Sequence, residues 1–318
     1  MRRMPNTDAS RPDLTVHFAG LELVTPLVLL SGCVGFGEEY TRVEGFSNRD
    51  IGAVILKGTT LEPRHGNAPH RLAETPSGML NAIGLQNPGS RHVVENILPH
   101  LPHDETQFWA NVNGASIEEY AEVARIFDDS PVTAMEINIS CPNVKAGGVH
   151  FGNDAAMSAR VVAAMRQATK KPLITKLSPN NANITEIATA CIEAGTDGFS
   201  VINTLMGMSI DIEQRTPILG NVSGGLSGPA IKPVALWKVH QVRQIAAEHQ
   251  IPILGQGGIA APEDAVEFAI AGSDTLGLGT GLFYDPLLPR KILDGLEAYL
   301  IRHGVARYSD LVGTLHTT

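Results

Sequence analysis

The chain has 318 residues, of which 43% are hydrophobic and 5% aromatic, and 32 are glycine. This composition favours an α/β barrel with glycine-containing loops over an aromatic-rich β-sandwich, and the length allows a large buried core. The formal net charge of −9 argues against a nucleic-acid-binding surface and so against a nucleic-acid partner. Cys33, Cys141 and Cys191 are widely spaced, which predicts neither a metal-binding motif nor a disulfide framework and is typical of a reducing cytoplasm.

The N-terminal residues contain two arginines without an apolar run behind them, which predicts neither a signal peptide nor a membrane anchor. No run of residues approaches the roughly 20 apolar positions that a spanning helix requires. We therefore expect a soluble, cytoplasmic protein without a membrane partner. The 11 histidines form no recognisable ligand set, and no metal is expected.

The predicted elements begin with a β-hairpin, residues 14–18 and 21–24, which is expected to cap the bottom of the fold. Strands are then predicted at 26–30, 51–57, 108–112, 134–140, 173–177, 198–202, 251–255 and 274–279. Amphipathic helices are predicted between several of them, at 117–127, 155–168, 184–194, 234–247 and 263–271. The alternation predicts one (β/α)8 TIM-barrel domain over residues 1–318. Residues 204–232, after the sixth strand, are rich in turn residues and predict a long insertion over the barrel mouth.

The predicted strands end in polar residues or glycines, and these ends converge on one face of a barrel. The residues are Ser31, Lys57, Asn111, Asn138, Cys141, Lys176, Asn203, Thr204, Gly257, Gly258, Gly279 and Thr280. Barrels commonly bind phosphate at the glycines after the last two strands, where backbone N–H groups approach an anion closely. The alternative is that these glycines only form tight turns.

Lys57 and Lys176 each terminate an apolar run. A lysine rarely faces a buried lumen without a partner, so both are interpreted as support for an anionic ligand or for a cofactor that becomes anionic on reduction. The alternative is a pair of solvated lysines that point away from the strand ends. Asparagines at 81, 111, 138, 143 and 203 suit an amide-rich heterocycle, although each is also a common turn residue. Residues 78–89 are interpreted as a loop with polar tips.

Cys141 lies in the segment Asn-Ile-Ser-Cys-Pro-Asn, residues 138–143, directly after an apolar strand. Pro142 cannot donate a ladder hydrogen bond, so the strand must end near Cys141 and leave the thiol at the barrel mouth. A thiol at that place is a candidate base or nucleophile. The pattern leaves open whether Cys141 is reactive or an inert apolar thiol. We interpret Cys33 and Cys191 as inert thiols.

Several sequence blocks in order, from about residue 14 to 286, resemble class 1 dihydroorotate dehydrogenases. The chain is most similar to the catalytic subunit of the NAD-linked class 1B type. The matching blocks are residues 31–40 (SGCVGFGEEY), 59–64 (TTLEPR), 74–89 (ETPSGMLNAIGLQNPG), 138–144 (NISCPNV), 202–205 (INTL) and 224–233 (GGLSGPAIKP). The resemblance implies oxidation of dihydroorotate to orotate in pyrimidine biosynthesis.

The resemblance also implies FMN across the barrel mouth, with its phosphate on Gly257, Gly258, Gly279 and Thr280. The other implied flavin contacts are Ser31, Lys57, Gly58, Asn111, Asn138, Lys176, Ile202 and Gly228. The implied substrate contacts are Lys57, Asn81, Ala82, Ile83, Gly84, Leu85, Asn138, Asn143, Asn203 and Thr204. Cys141 matches the base that removes the C5 proton while hydride leaves C6, and Lys57 and Lys176 match residues that assist this chemistry.

The chain departs from the family pattern at three places. Gly58 stands where alanine is common, Asn113-Gly-Ala replaces a more usual Ala-Gly-Ser, and Gln256 replaces methionine. None of these changes removes a side chain assigned to the chemistry. The last thirty residues match weakly.

The electron acceptor separates the two nearest interpretations. A class 1B chain passes electrons to NAD+ through a partner subunit that carries FAD and a [2Fe-2S] cluster, which predicts a homodimeric core within a heterotetramer. A class 1A chain is a homodimer that reduces fumarate. Two more distant alternatives are a tRNA-dihydrouridine synthase, another FMN barrel with a loop cysteine, and a non-catalytic barrel that binds a phosphorylated ligand.

Overall fold

The computed structural model describes residues 11–139 and 151–317. Its strands are β1 Val16–Phe18, β2 Leu21–Leu23, β3 Leu27–Leu29, β4 Ala53–Ile55, β5 Leu72–Thr75, β6 Gly78–Asn81, β7 Gln107–Val112, β8 Ala134–Ile137, β9 Leu173–Leu177, β10 Gly198–Val201, β11 Leu205–Gly207, β12 Ile210–Asp211, β13 Thr216–Pro217, β14 Gly224–Ser227, β15 Ile253–Gln256 and β16 Thr275–Leu278. Its α-helices are α1 Ser90–His92, α2 Ile117–Asp128, α3 Ala155–Ala168, α4 Ile184–Glu193, α5 Lys232–Ala246, α6 Pro262–Ala271, α7 Gly281–Tyr284 and α8 Leu288–His303. None of the helices in these two ranges is long and apolar enough to cross a membrane.

The eight predicted barrel strands close a parallel barrel in the order β3, β4, β7, β8, β9, β10, β15 and β16, and β16 pairs with β3. The predicted (β/α)8 barrel is therefore confirmed. Parallel strands covered by helices are buried on both faces, which explains why they read as continuous apolar runs. The connection between β3 and β4 departs from the repeat, because these strands are joined through 3-10 turns, Tyr40–Arg42 and Asn48–Asp50, in place of an α-helix.

The predicted N-terminal hairpin is formed by the antiparallel pair β1 and β2. Phe18, on this hairpin, stacks on Trp109 of β7 with ring centroids 5.5 Å apart. Both side chains belong to one buried cluster with residues of the barrel lumen such as Ile174 and Leu254. The hairpin therefore fills the end of the barrel at the start of the strands, whereas the carboxyl ends lie at the other end, where barrels bind their ligands.

The predicted insertion after the sixth barrel strand contains β11 to β14. Strands β11 and β14 join β5 and β6 in an antiparallel sheet ordered β11-β14-β6-β5. The prediction of a loop at residues 78–89 was thus wrong for Gly78–Asn81, which is strand β6. Asn81 of β6 pairs with Gly225 of β14. Because Gly225 lies far away in sequence, the residues around β6 carry no signal for this pairing. A Cβ on Gly224 would lie 2.5 Å from the Asn81 carbonyl oxygen, so the close approach of the β14 and β6 backbones requires glycine there.

Candidate functional site

The carboxyl ends of the barrel strands and the inner side of the small sheet surround a cavity of about 270 Å³. This volume is close to the lower end of the range for small-molecule sites, about 300–1,000 Å³. The predicted site residues that line it are Ser31, Lys57, Gly58, Asn81, Ile83, Gly84, Leu85, Asn111, Asn138, Lys176, Ile202, Asn203, Thr204, Gly228, Gly257, Gly258, Gly279 and Thr280. The structure thus brings together residues from every part of the barrel.

Three of the predicted site residues do not appear in this lining. Ala82 is fully buried and packs with Ala73, Leu80 and Leu219 behind the sheet, so its side chain faces away from the cavity. Its neighbours Asn81 and Ile83 both line the cavity. Cys141 and Asn143 lie outside the described residues.

One side of the cavity is formed by backbone from the ends of the last two barrel strands. Gly258 has a φ of +94°, and a Cβ there would lie 2.9 Å from the Gly228 carbonyl oxygen and 2.9 Å from Lys232 Cβ. A Cβ on Gly279 would come within 3.2 Å of Leu30 Cδ1. Thr280 Oγ1 donates a hydrogen bond to Ser227 Oγ at 2.7 Å. A Cβ at either position would crowd neighbouring protein atoms, which explains the glycines. Because these residues carry no side chain, an anion can approach their backbone N–H groups.

A layer of polar side chains from neighbouring strands forms the floor of the cavity. Lys176 is the fourth residue of β9 and not its last, so the prediction that it terminates the strand was wrong. Its Nζ lies 3.6 Å from Oε2 of Glu136 on β8. The other carboxylate oxygen of Glu136 accepts a hydrogen bond from Ser200 Oγ on β10 at 2.7 Å.

Glu136 is absent from the residues that the sequence predicts for this site. The available signal was a carboxylate in the middle of an apolar strand, Ala134–Ile137, because a fully buried acidic residue almost always has a partner. The sequence does not show that this partner is Lys176, because the two residues lie on different strands and share no sequence motif. The parallel register of β8 and β9 pairs Glu136 with Ile174, and Lys176, two residues further along β9, points to the same face of the strand.

Asn111, at the end of β7, has an amide that is fixed in one orientation. Its Nδ2 donates to Glu136 Oε2, and its Oδ1 accepts from Asn113 Nδ2 at 2.7 Å and from Asn138 Nδ2 at 3.4 Å. A Cβ on Gly58 would lie 2.8 Å from Asn111 Oδ1 and 2.9 Å from Asn113 Nδ2. Two of the departures from the family pattern, Gly58 and Asn113, are therefore in contact, and the glycine makes room for the asparagine.

The third departure, Gln256, is buried at the end of β15 and lines the cavity. Its Nε2 donates to the Ile202 carbonyl oxygen at 2.9 Å. Its Oε1 has no hydrogen-bond partner among the described residues. A buried carbonyl without a donor is costly, so this oxygen suits a ligand that supplies an N–H or O–H.

The two cysteines in the described ranges are held as neutral thiols. Burial raises the pKa of Cys33 to about 11, although the nearby charges of Lys176 and Lys57 act in the opposite direction. Burial on α4 raises the pKa of Cys191 to about 12. Neither thiol has the lowered pKa of a reactive cysteine.

A sequence model of the family named dihydroorotate dehydrogenase matches residues 13–300. The chain belongs to the dihydroorotate dehydrogenase family. It is 50% identical over 306 residues, 96% of this chain and 99% of the relative, to a protein of Pelobacter propionicus named dihydroorotate dehydrogenase B (NAD(+)), catalytic subunit. Proteins with the same name from Bacteroides thetaiotaomicron and Listeria monocytogenes are each 47% identical, over 95% and 94% of this chain and 99% and 97% of the relatives. The resemblance to the catalytic subunit of the NAD-linked class is confirmed.

Proposed function

We propose that this chain oxidises dihydroorotate to orotate in pyrimidine biosynthesis, as the FMN-binding catalytic subunit of an NAD-linked dihydroorotate dehydrogenase. The observation that carries the proposal is the near full-length identity of 50% to a relative named for this activity. The family match from residue 13 to 300 supports it, because that range includes all eight barrel strands and their carboxyl ends.

The residues present fit FMN. Gly257, Gly258, Gly279 and Thr280 line the cavity together, and the three glycines have no side chain that would keep a phosphate from their backbone N–H groups. The floor of the cavity offers donors and acceptors to a polar ring through Asn111, Lys176 and the unpaired Gln256 Oε1. Bound there, FMN would supply the acceptor for the hydride that leaves dihydroorotate.

Substrate binding is assigned to further polar residues of the cavity lining. Asn81 lies on β6 and donates from Nδ2 to the Gly225 carbonyl oxygen at 3.2 Å, which holds its amide at the edge of the cavity. Asn138, Asn203 and Thr204 line the same space. Holding the amide-containing ring of the substrate by several side-chain amides supplies orientation, which lowers the entropic part of the barrier.

Proton removal is assigned to Cys141 and charge stabilisation to Lys176. The support for Cys141 is its position three residues after Asn138, which lines the cavity at the end of β8. A thiol near its ordinary pKa of about 8.5 is mostly protonated at neutral pH. The rate of flavin reduction is therefore expected to rise between about pH 7 and 9, and a flat profile would contradict the assignment.

The subunit composition follows from the same resemblance. The word "subunit" in the relatives' names supports a partner, and we assign FAD and a [2Fe-2S] cluster to that partner, with this chain as a homodimeric core in a cytoplasmic heterotetramer. In this arrangement the electrons reach NAD+ through the partner subunit.

The test is anaerobic addition of dihydroorotate to the purified, FMN-loaded protein. We expect bleaching of the flavin absorbance and formation of orotate in the wild type. We expect strongly slowed bleaching in Cys141→Ala, with Cys191→Ala as the control cysteine variant. Flavin that stays oxidised with dihydroorotate refutes the proposal. Turnover with NAD+ only when the partner subunit is added supports the NAD-linked class, whereas turnover with fumarate by this chain alone supports the class 1A alternative.

A further inference from the structure

We infer that Glu136 is a positioning residue that holds Lys176 and Asn111 at the cavity floor and balances the charge of Lys176 beneath the flavin. The inference deepens the proposed function and rests on it, because the flavin is the group that would meet this charge. Glu136 itself does not line the cavity, so its influence passes through the two residues that do.

The geometry places Glu136 at the centre of four strands. It is 0% exposed on β8, with Asn111 directly opposite on β7. Lys176 on β9 and Ser200 on β10 are themselves register partners. One carboxylate oxygen takes the contacts with Asn111 and Lys176, and the other takes the hydrogen bond from Ser200. The carboxylate thus accepts hydrogen bonds from Asn111 and Ser200 and attracts the charge of Lys176, so it contacts side chains from three different strands.

Stability alone does not explain a carboxylate at this position. Removing a charged group from water is expensive, and well-packed apolar residues often replace a buried ion pair without loss of stability. The layer directly below, which includes Trp109 and Ile174, is apolar and closely packed. Two of the three side chains that contact Glu136 line the ligand cavity. The placement of the charge therefore serves the cavity.

The distance between the two charges indicates that Glu136 balances the charge of Lys176 and leaves its ammonium group available to a ligand. The separation of 3.6 Å between Lys176 Nζ and Glu136 Oε2 exceeds the roughly 2.7–2.9 Å of a charge-assisted hydrogen bond. The carboxylate attracts the ammonium group without occupying its N–H groups, which can point to a ligand. The pair has no net charge, so loss of the carboxylate charge would leave an additional positive charge below the flavin. Lys57 lines the same cavity and contributes its charge equally in every variant considered.

The inference is tested on FMN-loaded protein by the midpoint potential of the bound flavin, measured by dithionite titration without dihydroorotate. We expect Glu136→Gln, which keeps the shape and removes the charge, to shift the potential in the positive direction, because an uncompensated cation favours the reduced, more negative flavin. Ser200→Ala is the matched control, since it removes one hydrogen bond of the carboxylate and keeps its charge. Its potential should equal that of the wild type. Glu136→Asp keeps the charge on a shorter side chain, so it should retain the potential and bind FMN more weakly.

An unchanged or more negative potential in Glu136→Gln overturns the inference, as does an equal shift in Ser200→Ala. If Glu136→Gln fails to accumulate as folded protein, Glu136→Asp decides, because FMN affinity equal to the wild type would show that Glu136 does not position Asn111 and Lys176. Failure of the proposed function has a different signature. In that case the wild-type flavin is reduced by dithionite and not by dihydroorotate.

Discussion

Replacement of Lys176 by methionine should destabilise the protein strongly, for a reason that does not depend on any ligand. Lys176 is 6% exposed and Glu136 is 0% exposed, and their charged atoms are 3.6 Å apart. At an effective dielectric constant of about 20 the attraction between unit charges at such a distance is about 4–5 kcal/mol. Removal of one member of a buried pair typically costs about 3–5 kcal/mol, because the remaining charge has no partner. We therefore expect a loss of about 3–5 kcal/mol for Lys176→Met.

The assay is urea unfolding of the flavin-free protein, with the wild type, Lys176→Met, Glu136→Gln and the double variant compared in one buffer. The double variant removes both charges and keeps side chains of similar size. It should recover most of the stability that Lys176→Met loses, which gives a coupling energy of about 3 kcal/mol in the double-mutant cycle.

Two results would refute this reasoning. A loss of less than about 1 kcal/mol in Lys176→Met would show that Glu136 is not left as an uncompensated buried charge. A double variant whose loss equals the sum of the two single losses would show that the two groups do not interact energetically. Either result would also remove the charge balance that we infer for the cavity floor.

Three further expectations concern other parts of the molecule. Gly58→Ala places a Cβ 2.8 Å from Asn111 Oδ1 and 2.9 Å from Asn113 Nδ2. It should weaken FMN binding about tenfold, equivalent to one hydrogen bond of about 1.4 kcal/mol. Asn113→Ala removes the amide that crowds this Cβ and holds Asn111 in place, so the double variant should regain affinity in a fluorescence titration; full affinity in the single variant would contradict the steric argument. Burial raises the pKa of Cys191 from 9.0 to about 12, so the unfolded chain loses this proton first and the free energy of unfolding should fall between about pH 9 and 12. Cys191→Ala should reduce the fall in the urea midpoint between pH 8 and 10. An identical fall in the wild type and the variant would argue against this expectation. Ser116 Oγ caps α2 by accepting from the Glu119 N–H at 3.3 Å, and Ser116→Ala should cost about 1 kcal/mol in urea unfolding, whereas Ser116→Asp should not.

The barrel itself was predictable because its signal is local. Each parallel strand is buried on both faces, so runs such as Leu173–Leu177 are apolar regardless of which strand lies beside them. The polar residues after these runs necessarily meet at one end of a closed barrel, which is why most of the predicted site residues line one cavity. The family resemblance then assigned chemistry to those positions, which periodicity alone does not do.

The small sheet over the mouth and the carboxylate in the floor were not predictable in this way. Strand β6 exists because it pairs with β14, and Ala82 is buried because Leu219 packs against it; both partners lie more than 130 residues away in the sequence. The sequence by itself determined the barrel, the end at which ligands bind and the family. The tertiary structure alone decided that Glu136 neighbours Lys176, Asn111 and Ser200, because the contacts of a buried charge depend on strand register and not on spacing along the chain.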